Sequence, residues 1–259
     1  MRIALGVEYD GSGYHGWQRQ EGALSVQQVV EEALSRVAAH PVRVSVAGRT
    51  DTGVHAVGQV IHFDSDAVRD ERAWVFGGNV NMPRDVSFLW ARRVEDDFHA
   101  RFLACARRYR YIIANRWTRP AIHRTRASWF HRPLDVERMR AGAVHLLGQH
   151  DFTSFRAVAC QAKSPIKTIH EIEVTRVGEY VAIDVRANAF LHHMVRNIAG
   201  VLMTVGCGDR EPEWVAEVLG YRDRALGGVT APPDGLYFVH VEYPERFELP
   251  PCPSLPVLA

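Results

Sequence analysis

Apolar residues recur with two different periods along this chain. From Arg2 to Tyr9 they alternate with other residues, which predicts a strand, and Asp10-Gly-Ser-Gly13 breaks it. Tyr14 to Gln20 reads as an aromatic and polar loop. Val26, Val29, Val30, Ala33, Leu34 and Val37 then return at helical spacing on one face. Ser25 and Gln28 stand at capping-box spacing before that helix, and Pro41 ends it. Val42 to Ala47 is a second strand. Gly58 to Asp64 is a third, with Ile61 and Phe63 on one face and Val60 and His62 on the other. A short helix over Asp70 to Gly78 and a strand over Val86 to Val94 complete a β-α-β-β-α-β order, a ferredoxin-like split unit.

The second half repeats that order with one extra helix. Tyr109, Tyr111 and Ile113 alternate with Arg108, Arg110 and Ile112 in a fifth strand. Asp135 caps a helix to Leu147, and Gly148 ends it. His150 to Pro165 reads as a long loop. Ile169 to Val177 and Tyr180 to Asn188 flank Gly178 as a hairpin. Leu191 to Val205 and about Glu213 to Tyr221 are helical, and Leu236 to Val241 is the last strand. The expected fold is therefore α+β: two ferredoxin-like units joined into one mainly antiparallel sheet, helices on one face and an active-site cleft on the other. The expected boundaries are 1–104 for the first domain, 105–245 for the second, and a loosely attached proline-rich tail over 246–259.

Composition narrows the class. The chain has 259 residues and 47% hydrophobic content, enough for one large core or two small ones. No apolar run reaches membrane-spanning length, and the opening Met1-Arg-Ile-Ala-Leu-Gly-Val goes straight into a strand pattern without signal-peptide architecture. The four cysteines, Cys105, Cys160, Cys207 and Cys252, are scattered, with no Cys-x-x-Cys pair. That argues against a zinc cluster or redox motif and fits a reducing, cytoplasmic compartment. A net charge of +1 is weak for a nucleic-acid binder, so local clustering has to carry any such role. Arg116 to Arg132 is such a cluster, basic with Trp117, Trp129 and Phe130 interleaved. Trp17 and Arg19 are candidates for stacking and phosphate contact.

The candidate chemistry centres on Asp51. Glycines at 48 and 53 bound a tight loop between strands, and Arg49 lies two residues before the carboxylate. A nearby guanidinium favours the ionised form, and an ionised carboxylate on a rigid loop suits nucleophilic catalysis. The same composition suits an ordinary turn capped by its own aspartate. Asp51-Thr-Gly is also the tripeptide of aspartic proteases, but that chemistry needs two carboxylates sharing a proton. The chain has one such tripeptide, so only a dimer would supply the second. No dinucleotide fingerprint and no phosphate-loop lysine appears. His192-His193 is the nearest approach to a metal pair. On a helix, neighbours point about 100° apart and chelate one ion poorly, so no metal site is expected.

The loop Gly48-Arg-Thr-Asp-Thr-Gly-Val-His-Ala56 resembles the signature of the tRNA pseudouridine synthase A family. The resemblance continues through Tyr9-Asp-Gly11, Gly16-Trp-Gln-Arg-Gln20, Asp97-Phe-His-Ala-Arg-Phe102 and Ala106-Arg-Arg-Tyr-Arg-Tyr-Ile112. It runs on through His150-Asp-Phe-Thr-Ser-Phe155, Asn188-Ala-Phe-Leu-His-His-Met-Val-Arg-Asn197 and Gly235-Leu-Tyr-Phe-Val239, and so covers nearly the whole chain. It implies isomerisation of uridine to pseudouridine in the tRNA anticodon arm, on the 3′ side of the anticodon (tRNA positions 38–40). It also implies a homodimer, no membrane association and no cofactor. It makes Asp51 the catalytic carboxylate, attacking ribose C1′ or base C6 or removing a C2′ proton. Tyr109 matches the active-site tyrosine, Arg196 the arginine that pairs with the nucleophile, and Leu236 an apolar wall of the pocket. Arg49 and His55 would hold phosphate or fill the space left by a flipped base. Arg107, Arg108, Arg110, Arg116, Arg119, Arg124 and Arg126 would hold the RNA backbone. A catalytically silent RNA-binding module and a dimeric aspartic protease are the rival classes. Conversion of uridine in unmodified tRNA discriminates among them.

Overall fold

The computed structural model describes residues 1–251. The chain divides into two compact units. Among the described residues, one holds 1–106 and 237–251, and the other holds Arg107–Leu236. The last strand therefore leaves the second half, where the sequence pattern had put it. Its Tyr237 and Phe238 run parallel to His55 and Ala56 of the first unit.

The first unit follows the expected order: β1 (Arg2–Tyr9), α1 (Val26–Ala38), β2 (Ser45–Val46), β3 (His55–Asp64), α2 (Glu71–Val80) and β4 (Val86–Val94). The returning strand β10 (Leu236–Glu242) joins them. β1 lies antiparallel between β4 and β3, with Ile3 opposite Phe63 and Leu5 opposite Ile61. The Ser25 hydroxyl caps α1 by accepting from the Gln28 N–H, as the spacing predicts. Val26, Val30, Ala33 and Leu34 bury the inner face of α1. Phe63 meets Trp74 of α2 edge-on at 5.0 Å. Each such fully buried side chain contributes about 1.5–3 kcal/mol.

Two expectations fail locally in this unit. β2 is confined to Ser45–Val46 because side chains take the amides before it. The Val42 N–H donates to Ser35 Oγ and the Val44 N–H to Glu31 Oε1. Chain following Pro244 is docked rather than loose. Phe247 is 5% exposed and packs on Phe98 at 5.0 Å, while Arg246 pairs with Glu95 and Asp97. The rest of the expected tail, 252–259, lies outside the described residues.

The second unit holds β5 (Ala106–Asn115), β6 (Ser128–Phe130), α3 (Val136–Val144), β7 (Gly148–Asp151), β8 (Ile166–Val177), β9 (Tyr180–Ala187), α4 (Met194–Gly206) and α5 (Trp214–Tyr221). β5, β9, β8 and β7 pair antiparallel in that order, and β6 adds parallel to β5. The basic segment 116–132 thus contains a strand, and the loop expected at 150–165 begins in β7. Two phenylalanines, Phe152 and Phe155, anchor that region in the core around a 3-10 turn. α4 starts at Met194, three residues after the apolar pattern begins, because His193 takes the left-handed conformation (φ +61). Met194, Val195, Ile198, Val201 and Leu202 bury its core face. Among the described residues no helix is long and apolar enough to cross a membrane.

Candidate active site

In the first unit, the loop that carries Asp51 is held at almost every residue. The Gln59 amide donates to the Gly48 carbonyl at 2.7 Å. The Thr50 hydroxyl shares a hydrogen bond with Tyr9 Oη at 2.7 Å, and the Thr50 carbonyl accepts from the Trp17 N–H at 3.0 Å. The Val54 N–H closes the turn onto the Asp51 carbonyl, and the Gly53 N–H donates to the Tyr14 carbonyl. Tyr14 is itself fixed, because its hydroxyl donates to Asp85 Oδ1 at 2.6 Å.

Two glycines make this close packing possible. A Cβ at Gly11 would stand 1.9 Å from the Val54 carbonyl oxygen. One at Gly16, whose φ is +80, would stand 2.7 Å from the Thr50 carbonyl oxygen. No side chain fits at either place, so the segment 10–17 lies directly against the loop backbone. Asp51 is partly exposed, and Arg49 is exposed beside it. The backbone that carries the carboxylate is thus held on both sides of it.

His55 does not fit the expected phosphate or space-filling role. It is 2% exposed, its Nδ1 accepts from the Gly11 N–H at 3.1 Å, and its ring stacks on Tyr237 at 4.8 Å. It anchors the loop from beneath. Trp17 is likewise a core residue, 1% exposed against Tyr9, and not a stacking platform. Arg19 reaches the buried Glu31 carboxylate at 3.5 Å.

In the second unit, Tyr109 lies on β5 opposite Val185, with its ring edge-on to Phe190 at 4.8 Å. Arg196 lies in the first turn of α4. Its Nε donates to the Ala231 carbonyl at 2.8 Å, and its own carbonyl accepts from the Ala231 N–H. The Asn197 amide donates to the Phe155 carbonyl, and Arg224 and Thr230 close on Asn197 Oδ1. This set ties the strap 224–231 to the start of α4. Leu236 is buried at the start of β10. His192 and His193 precede α4, so the 100° spacing of helical neighbours does not govern them. Their rings lie 4.1 Å apart.

The candidate RNA-backbone arginines separate into two groups. Arg108 pairs with Glu171, and Arg110 with the buried Asp184 at 2.8 Å. Arg107 donates to the Asn188 carbonyl. Arg110 thus clamps β9, Arg108 reaches across to β8, and Arg107 holds the chain just past β9. Arg116 pairs with Glu179, whereas Arg119, Arg124 and Arg126 are exposed. Sequence reasoning missed Tyr9, Thr50, Gln59 and the strap onto Arg196. Gln59 carried a signal, as an amide inside the apolar run of β3.

Comparison with known proteins gives a consistent result. The profile of the tRNA pseudouridine synthase family matches residues 6–103 and 143–244. A tRNA pseudouridine synthase A from Nitrosococcus oceani is 59% identical over 250 residues, 96% of this chain and 96% of that protein. One from Coxiella burnetii is 58% identical over 255 residues, 98% of each. One from Pseudomonas aeruginosa is 61% identical over 250 residues, 96% of this chain and 88% of that one. A solved chain from a Cbf5-Nop10-Gar1 complex aligns with TM-score 0.41 and 10% identity, over 91% of this chain and 48% of that one. A likeness that distant carries no argument.

Proposed function

This chain belongs to the tRNA pseudouridine synthase family, an isomerase family, and we propose that it converts uridine to pseudouridine at positions 38–40 of the tRNA anticodon arm, with Asp51 as the reacting carboxylate. The observation that carries this reading is the Asp51 loop, gripped at Gly48, Thr50 and Gly53 by Gln59, Tyr9, Trp17 and Tyr14.

The reaction breaks the bond between ribose C1′ and N1 of the base and makes one between C1′ and C5. The C5 proton leaves and N1 gains a proton. Atoms and electrons balance within the nucleoside, so the chemistry needs neither an oxidant nor a nucleotide, and the reading assigns no cofactor. What it needs is one ionised carboxylate. Asp51 serves as nucleophile at C1′ or C6, or as base toward C2′. A stacked base hides these atoms, so the target uridine is flipped out to be reached. Tyr109 stacks on it and moves a proton through its hydroxyl, Leu236 walls the pocket, and Arg196 orients the carboxylate. Arg49, Arg116, Arg119, Arg124 and Arg126 meet RNA phosphates, while Arg107, Arg108 and Arg110 brace β5. The protein works as a homodimer in the cytoplasm.

The test is incubation of Asp51→Asn and wild type with unmodified tRNA, followed by a pseudouridine-specific chemical label. Asn keeps the shape and removes the charge. The variant binds tRNA nearly normally and forms no product; turnover by rigorously purified Asp51→Asn overturns the assignment.

A further inference from the structure

Beneath the Asp51 loop lies a buried polar set that the chemistry does not itself use. Tyr9 Oη and Thr50 Oγ1 are 2.7 Å apart, and both residues are buried. Gln59 is 0% exposed. Its Nε2 donates to the Gly48 carbonyl at 2.7 Å and lies 3.5 Å from Tyr9 Oη, while its Oε1 accepts from the Val60 N–H at 3.2 Å. Burial pushes the Tyr9 phenol up to about 12, so it stays a neutral hydroxyl throughout the working range.

Simple strand pairing does not need these groups. Gln59 stands opposite Val7 in the ladder, next to the pairing of Gly6 with Val60, and an apolar side chain would pack there without an amide to satisfy. The β1–β3 register slips between Val7 and Tyr9, and such a bulge re-aims the side chains beside it. Here Tyr9 and Gln59 converge on the loop at Thr50 and Gly48, on either side of Arg49.

We propose that Tyr9, Thr50 and Gln59 are positioning residues, a buried hydrogen-bonded set that fixes the Asp51 carboxylate in its reactive orientation. The inference rests on the reading that Asp51 is the reacting carboxylate. It predicts a separation of rate from binding, because a misplaced nucleophile slows chemistry and leaves the RNA-binding surface intact. Displacement of a reacting group by about 1 Å costs on the order of 10²-fold in rate.

The experiment measures single-turnover rate, tRNA dissociation constant and thermal unfolding for Tyr9→Phe, Thr50→Val and Thr50→Ser in the full chain, beside Asp51→Asn. Tyr9→Phe and Thr50→Val slow the chemical step by roughly 10- to 100-fold with tRNA affinity unchanged. Thr50→Ser, which keeps the hydroxyl, recovers most of the rate. Wild-type rates in both Tyr9→Phe and Thr50→Val overturn the inference, as does a rate loss that only follows the fraction of unfolded protein. If Tyr9→Phe fails to fold, the Thr50→Val and Thr50→Ser pair decides alone. A dead Asp51→Asn beside fully active Tyr9→Phe and Thr50→Val removes the positioning role and leaves the nucleophile in place. An active Asp51→Asn removes the nucleophile reading itself.

Discussion

Arg196 and Ala231 hold each other twice: Arg196 Nε donates to the Ala231 carbonyl at 2.8 Å, and the Ala231 N–H donates to the Arg196 carbonyl at 3.1 Å. One edge of the guanidinium is thereby fixed, and the plane of its remaining donors with it. A planar fork held at one edge presents its other nitrogens in a set direction, which an ammonium on a flexible stem does not do.

Arg196→Lys therefore keeps the charge and loses the direction. Its single-turnover rate falls by roughly 10- to 100-fold, as for other small misplacements of a reacting group, while tRNA affinity changes little. A rate equal to wild type in Arg196→Lys would mean that charge alone suffices.

The two jobs proposed for Tyr109 separate on substitution. Tyr109→Phe keeps the ring and its edge-on packing with Phe190, so binding survives. Turnover drops by roughly the 10²–10⁴ of a missing acid–base group. Tyr109→Leu loses binding as well, by about 1–3 kcal/mol for one stacked base. Quenched-flow single turnovers and filter binding read the two effects. An unchanged rate in Tyr109→Phe leaves the residue only a stacking platform.

Salt dependence distinguishes the two groups of arginines. Replacing Arg119, Arg124 and Arg126 with Ala lowers the slope of log affinity against log salt by about 0.7–0.9 for each phosphate that is no longer neutralised. Arg110→Ala leaves that slope unchanged, because its guanidinium is already bound to Asp184. It instead strands a buried carboxylate and lowers stability by about 1–3 kcal/mol. Titrations at several salt concentrations, with thermal unfolding alongside, separate these outcomes.

Stability falls on acidification through His62. Burial, then the neighbouring His99 and Arg2, pushes its imidazole down to about 4, and its Nδ1 accepts from the Ala100 N–H at 3.1 Å. An unfolded histidine titrates near about 6.5. Between those values the unfolded chain takes up a proton that the folded chain refuses, so stability present above about pH 6.5 is lost as the pH drops toward about 4. The loss from this residue is about 1–3 kcal/mol. Urea unfolding across that range reads it, and His62→Gln flattens that part of the curve. An equally steep curve in His62→Gln would place the titration elsewhere.

Periodicity alone determined most of the elements, because each follows from local alternation and from caps. β1 and β4 have the predicted bounds, Ser25 caps α1, and the hairpin turns at Gly178. The glycine-bounded Asp51 was likewise visible, since a turn is a property of a few consecutive residues. Tertiary structure decided the rest. The last strand went to the first unit because a parallel partner is chosen by long-range pairing, which no local pattern encodes. Phe247 docked because Phe98, far away in sequence, was there to cover. Trp17 and His55 turned inward, and Arg108 and Arg110 met acids on β8 and β9. A basic or aromatic residue reads the same in sequence whether it faces solvent or a buried partner. The desolvation that separates the two depends on neighbours brought together only by folding, and so did the support that Tyr9, Thr50 and Gln59 give the Asp51 loop.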